Sequence, residues 1–261
     1  MCAQALDGKV IVVIGGTTGL GRSGVEACLA AGARVVAVGR RQETVDAVDS
    51  LGEEVSGLVG DASEPACSLA AIAEAKARYG GFDGLYHVAG GSGRGAGDGP
   101  LHELTDEGID FTLDLNLRSV LYSNRSAVQE FIAAGSGGSV LNMSSVLAHS
   151  PANKHFATHT YAAAKAGIVG LSRAAAAKYA ANNIRFNVLA PGLIDTPMSA
   201  RAQGSEEIIE YTRKRQPLDG GRVGKAGDAD GAVVYFLSDK SDFVTGQVLS
   251  IDGGWEVSDG Q

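Results

Sequence analysis

The sequence predicts an α/β fold built on an open parallel sheet, and three observations carry that expectation. Short β-branched runs alternate with helical patterns through the N-terminal third of the chain. The first of these runs ends in a glycine turn that opens a helix. Residues with chemical potential fall just beyond the carboxyl ends of the runs, where open α/β sheets hold ligands.

Residues 9–14 form the first β-branched run, followed by Gly15-Gly16-Thr17-Thr18-Gly19-Leu20-Gly21 and a helical spacing of Val25, Cys28 and Leu29 closed by Gly32. Glycines there let backbone N–H groups and the helix N-terminus approach a pyrophosphate without side-chain obstruction. Residues 34–38 make a second strand, and it ends in Gly39-Arg40-Arg41. A carboxylate at this point would hold the ribose 2′-hydroxyl of NAD. None is present, and two cations before a helix beginning near Gln42 oppose its dipole unless an anion joins them. The arrangement favours NADP(H), with Arg40 and Arg41 pairing with a 2′-phosphate; NAD(H) is the alternative.

Residues 54–59 form a third strand ending at Gly60-Asp61-Ala62, where Asp61 either accepts from an adenine amino group or caps the helix of residues 65–79. A fourth strand, residues 82–88, runs into Ala89-Gly90-Gly91. Six glycines among residues 90–100 read as a mobile loop beside a site. Residues 101–134 carry two helical patterns, and Asn116 stands among apolar neighbours, where it either satisfies the core or holds a water. A fifth strand, residues 138–143, delivers Ser144 and Ser145. His149, His155 and His159 follow in a loop, but their spacing is not a zinc pattern, so no metal is expected. An alanine-rich helix over residues 161–181 is suited to close packing, and it carries Tyr161 and Lys165 four residues apart on one face. A cation so placed favours the phenolate, so Lys165 is expected to lower the proton affinity of Tyr161. A sixth strand at 184–189 ends in Pro191-Gly192, a polar segment at about 197–222 reads as a substrate lid, and a helix at 228–237 and a strand at 246–251 complete the chain.

The length of 261 residues suits a single domain spanning 1–261, and 44% apolar with 20% charged residues excludes a disordered chain. A net charge of −8 argues against a nucleic-acid or anionic-membrane surface. No run approaches the ~18 apolar residues that span a bilayer, and the N-terminus lacks an apolar signal core. Cys2, Cys28 and Cys67 have neither pairing number nor metal spacing and read as reduced thiols, so a cytoplasmic location is expected.

Taken in order, Gly15-x-x-x-Gly19-Leu20-Gly21, Asp61, Ala89-Gly90, Asn116, Ser145, Tyr161-x-x-x-Lys165, Pro191-Gly192 with Thr196, and Asp252-Gly253-Gly254 resemble the short-chain dehydrogenase/reductase family over essentially the whole length. The resemblance implies a Rossmann-type, doubly wound sheet of seven parallel strands flanked by helices, and hydride exchange between a nicotinamide and the carbonyl or secondary alcohol of a small substrate. It implies a tetrad: Tyr161 moves the proton at the substrate oxygen, Ser145 hydrogen-bonds that oxygen, Lys165 bonds the nicotinamide ribose, and Asn116 positions a water. It also implies cofactor contacts from Gly15, Thr17, Thr18, Gly19, Leu20, Arg40, Arg41, Asp61, Ala62, Ala89, Gly90, Pro191, Gly192, Ile194 and Thr196, besides Tyr161 and Lys165. A homotetramer formed through the Tyr161 helix and the C-terminal strand is implied as well.

Several positions depart from the family pattern. Ile14 stands where a Thr is common, and His87-Val88 replaces an Asn-Asn pair, so bonds bracing the sheet must be missing or rerouted. The interval of 16 from Ser145 to Tyr161 is longer than usual. Residues 91–94, 149–159 and 193–222 are expected to line the substrate pocket. A different class of function, a nucleotide-binding scaffold or sensor without catalysis, is disfavoured by the intact tetrad.

Overall fold

The computed structural model describes residues 4–152 and 154–260; of the thiols above, Cys2 lies outside them. The elements run β1 (Val10–Ile14), α1 (Gly19–Ala30), β2 (Arg34–Gly39), α2 (Gln42–Asp49), β3 (Val55–Val59), α3 (Pro65–Tyr79), β4 (Gly84–His87), α4 (Asp106–Leu113), α5 (Ser119–Ala134), β5 (Gly138–Met143), α6 (His159–Tyr179), β6 (Ile184–Pro191), α7 (Ala200–Gln203), α8 (Glu206–Arg215), α9 (Asp230–Leu237) and β7 (Val248–Ile251). All strands are parallel in a seven-stranded sheet of order β3-β2-β1-β4-β5-β6-β7. The order reverses between β1 and β4, which opens the ligand crevice beyond their carboxyl ends.

Strand alternation divides the core between the two faces of the sheet. Val12, Ile14, Val36, Val140 and Phe186 pack with Ile72, Phe131 and Ala176 from α3, α5 and α6. On the opposite face Ile11, Val13, Val35, Tyr86 and Leu141 meet Val25, Cys28, Val233 and Phe236 from α1 and α9. The sheet is therefore buried on both sides, which is why its strands read as continuous apolar runs. Cys28 and Cys67 are buried free thiols, and burial pushes their pKa values up to about 12 and about 11. Neither is a ready nucleophile.

The bonds bracing the sheet are rerouted rather than missing. His87 is fully buried, with Nδ1 2.7 Å from Ser123 Oγ and Nε2 3.4 Å from Ser119 Oγ. Beside it, Asn142 donates to Asn124 Oδ1 at 2.8 Å and to Ser172 Oγ at 3.0 Å, tying β5 to α5 and α6. Burial, and then the charge of Lys165, push the His87 pKa down to about 3. The folded chain thus holds a neutral imidazole where the unfolded chain takes up a proton at an ordinary value near 6.5. Between those limits the unfolded state binds more protons, so stability falls as pH drops below 6.5. At pH 5 this group is expected to cost about 2 kcal/mol, from about 1.4 kcal/mol per pH unit. Urea titrations from pH 7 to 5 should show that decline, and His87→Asn should flatten it.

Candidate active site

The glycine turn between β1 and α1 is held by close contacts that only glycine permits. A Cβ on Gly21 would lie 2.0 Å from the Gly15 carbonyl oxygen, so the turn closes on itself, and the Gly15 and Gly16 N–H groups tie it to β2 through the Val38 carbonyl. Gly39 is compelled in the same way, because a Cβ there would sit 2.1 Å from Thr17 Oγ1. Space at the end of β2 is already taken by Thr17, which also accepts from Thr44 Oγ1 at 3.1 Å. A carboxylate side chain at this position would displace Thr17.

One cavity of about 220 Å³ gathers Gly15, Thr17, Thr18, Gly19, Leu20, Arg40, Asp61, Ala62, Ala89, Gly90, Tyr161, Lys165, Pro191 and Thr196. Their convergence, on a cradle that a Cβ would fill, fits a dinucleotide. Three expected contacts stand elsewhere. Arg41 is the residue before α2, and its carbonyl serves the Thr44 and Val45 amides, so Arg40 alone of the pair lines the cavity. Ile194 bridges to Gly224 and lines a separate cavity, whereas Gly192 lines the one adjoining the cradle. Asp61 accepts from Ser63 N at 2.9 Å and Ser63 Oγ at 2.7 Å, and these bonds, with Arg40 nearby, hold its carboxyl below the usual range.

At the carboxyl end of β5 the two serines part as strand alternation requires. Ser144 Oγ donates to the Lys165 carbonyl at 2.8 Å, while Ser145 lines the adjoining cavity and hydrogen-bonds Tyr161. Lys165 Nζ donates to the Met143 carbonyl at 3.0 Å and sits 5.5 Å from the Tyr161 ring centre. Burial lowers the Lys165 pKa to about 8. It also pushes Tyr161 up to about 12, against the smaller pull of the Ser145 hydrogen bond. The expectation that Lys165 sets the Tyr161 pKa low is thus corrected: desolvation of the phenolate sets the direction, and the opposing pull comes from Ser145.

Asn116 lies in a π turn, Asp114–Arg118, inserted between α4 and α5. Its Nδ2 donates to the Thr112 and Gly91 carbonyls, both at 2.9 Å, and its Oδ1 accepts from Gly91 N at 3.1 Å. Ser119 Oγ donates to the Leu115 carbonyl at 2.7 Å, so side chains serve one carbonyl of the distorted turn and one of the α4 turn before it. The Asn116 side chain pins the glycine loop at Gly91 and ties back to α4 at Thr112, and its Oδ1 keeps a second lone pair for a further donor.

Two residues of the site escape a reading of the sequence. Asp98, 2% exposed, accepts from the backbone N–H of Thr160 at 3.0 Å and of Tyr161 at 2.9 Å. Thr158 begins α6 without a side-chain cap, so this distant carboxylate caps the helix that carries Tyr161. The glycine loop, expected to be mobile, is in this way fastened to the site; its one cue in the sequence was a lone carboxylate in a glycine run. Asp98→Ala is expected to lower stability by about 1–2 kcal/mol in urea denaturation, the range for a lost cap, with Asp98→Asn losing less. Trp255, which follows Asp252-Gly253-Gly254, lies against Phe156 and Tyr211 and lines the second cavity.

That second cavity, of about 130 Å³, adjoins the cradle, and Tyr161 lines both. Ser145, Val146, Leu147, Phe156, Leu193 and Met198 are among its walls, and so are Arg94 and Arg201. The three histidines have separate surroundings: His149 Nε2 lies 3.2 Å from Glu256, His155 packs edge-on to Tyr211, and His159 donates its backbone N–H to Gly99.

Residues 15–256 match the family described as enoyl-(acyl carrier protein) reductase. The chain is 32% identical to a 2-dehydro-3-deoxy-D-gluconate 5-dehydrogenase of Escherichia coli strain K12, over 98% of both chains. It is 33% identical to the cis-4-hydroxycyclohexanecarboxylate dehydrogenase of Sinomonas cyclohexanicum, over 97% of this chain and 98% of that one. Among solved structures, a gluconate 5-dehydrogenase from Burkholderia cenocepacia J2315, in complex with NADP and tartrate, superposes with a TM-score of 0.87 at 28% identity, covering 97% of each chain.

Proposed function

The chain belongs to the short-chain dehydrogenase/reductase family of oxidoreductases, and on that footing we propose that it exchanges a hydride between NADP(H) and the carbonyl or secondary alcohol of a small organic substrate. The observation that carries the reading is the position of Tyr161 on the wall shared by the dinucleotide cradle and a smaller cavity that also holds the Ser145 hydroxyl.

The nicotinamide, when bound, supplies the hydride donor or acceptor. Hydride delivery to a carbonyl carbon builds negative charge on its oxygen, and a donor placed there contributes most in the transition state. Ser145 and Tyr161 are two such donors. Tyr161, kept as the neutral phenol by burial, gives up its proton to that oxygen, so its resting state serves carbonyl reduction. Lys165, anchored by the Met143 carbonyl, offsets the phenolate that remains. Asn116 acts by fixing Gly91, and with it the loop that Asp98 fastens to α6. Arg40 takes the 2′-phosphate. The segment 197–222, folded as α7, α8 and short 3-10 turns, is the lid over the smaller cavity, to which it contributes Met198, Arg201 and Ala202.

Incubation with NADP⁺ and a panel of secondary alcohols tests this reading: reduced cofactor and ketone should appear in equal amounts. Tight cofactor binding with no turnover across the panel favours the scaffold alternative. We also propose a homotetramer, consistent with an outer edge of β7 that no described strand pairs and with Leu249 exposed on it. Light scattering should give four times the chain mass of 26.6 kDa, and a monomer contradicts it.

A further inference from the structure

Two cations stand on the cavity where the reaction is placed. Arg94, in the 3-10 turn Arg94–Ala96, and Arg201, on α7, line the same walls as Ser145 and Tyr161. Arg201 is held below the usual guanidinium range, by partial burial and then by the charge of Arg94, so the two groups oppose one another. Some arginines of this acidic chain meet carboxylates, as Arg22 does with Glu26, Arg118 with Asp114, and Arg222 with Asp219 and Asp228, whereas Arg94 and Arg201 are exposed at the cavity mouth. Among the described residues no Asp or Glu pairs with Arg94 or Arg201. One Arg201 nitrogen donates to the His155 carbonyl at 3.2 Å, and the rest of its fork has no described acceptor.

Trp255 closes the same cavity from within the core. Trp255 is 1% exposed, and its Nε1–H has no acceptor among the described residues. The remaining walls mix apolar Val146, Leu147 and Leu193 with the hydroxyl-bearing Ser92, Thr158 and Ser199. Two exposed guanidinium groups thus stand on one cavity without a carboxylate among the described residues to meet them, and their forks match the planar geometry of an oxyanion.

We propose that the substrate carries an oxyanion, a carboxylate or a phosphate monoester, seated between Arg94 and Arg201 while its reacting oxygen meets Ser145 and Tyr161. The inference rests on the oxidoreductase reading above and adds the substrate class to it. An oxyanion bridging the two arginines ties α7 of the lid segment to the glycine loop, so the group that selects the substrate also draws the two segments together.

Calorimetry on the NADP⁺-loaded protein tests the seat without requiring turnover. The probes are matched sets: 4-hydroxycyclohexanecarboxylate, its methyl ester and the corresponding phosphate monoester, and 3-hydroxybutyrate with its methyl ester and its phosphate counterpart. In at least one set an oxyanion should bind about 30-fold or more tightly than the neutral ester, and the preference should shrink as salt is raised. Which oxyanion prevails identifies the group. Arg94→Gln with Arg201→Gln should bring the ratio within about 3-fold, each single variant falling between, with thermal melting reporting that the variants fold. Equal binding of ester and oxyanion in every set, or a preference that survives in the double variant, overturns the seat. Reduction of NADP⁺ by the same probes is read separately. Turnover without oxyanion preference removes the seat and leaves the oxidoreductase reading intact, whereas oxyanion preference without any hydride transfer supports the seat and contradicts that reading.

Discussion

Tyr161→Phe is expected to cut kcat by about 10³-fold while the dissociation constant for NADP(H) changes by less than about 3-fold. The magnitude is that of a lost general acid or base. The substitution removes one oxygen from a buried ring and leaves the ring packing in place, so cofactor binding should persist. Ser145 still donates to the substrate oxygen in the variant, which sets a floor on the loss. Fluorescence titration with NADPH and steady-state kinetics on the same preparation separate the two effects. Full retained activity would remove Tyr161 from the reaction.

Arg40→Ala should weaken NADP(H) by about 30-fold and NAD(H) by less than about 3-fold. A charge-assisted bond to a phosphate contributes about 1.5–3 kcal/mol, which corresponds to about 10- to 150-fold. The lower part of that range applies because Arg40 is exposed and because Asp61 lies close enough to feel its charge. Arg41→Ala should leave both cofactors nearly unchanged, since Arg41 stands outside the cavity lining. Equal losses for the two cofactors from Arg40→Ala would refute the 2′-phosphate assignment. The close contact between Gly39 and Thr17 adds that a carboxylate placed at position 39 should not by itself convert the site to NAD(H), because Thr17 has to move first.

The parts of this fold that local residues dictate were readable in the sequence. The β-branched runs gave the strands of the sheet to within about two residues at each end, because burial on both faces leaves no polar alternation to blur them. Pro65 and Gly80 bounded α3, since a proline is tolerated in a first helical turn and Gly80 adopts a positive φ. Tyr161 and Lys165 share a face simply by helical spacing. What depends on distant contacts was not readable. Nothing near Asp98 in the chain shows that it caps a helix some sixty residues on, and the glycines around it read as mobility when several of them serve close packing, as Gly93 does against Thr112. The sequence left Asn116 open between a core role and a water site, and its Gly91 partners could not be read because they come from another loop. Arg40, with Arg41 as a further candidate, was readable as the phosphate partner, but only the turn into α2 shows that the first lines the cavity and that the backbone of the second is engaged. The direction of the Tyr161 shift was misjudged for a related reason: spacing reveals a nearby cation but not the depth of burial that opposes it.

The most direct test of the account follows the hydrogen itself. A secondary alcohol deuterated at its carbinol carbon, once the panel has supplied one, is incubated with the protein and NADP⁺, and the reduced cofactor is examined by mass spectrometry. One deuterium per reduced nicotinamide is expected, with Tyr161→Phe forming almost none. Reduced cofactor without the label, or labelling that is equal in the Tyr161→Phe variant, would contradict it.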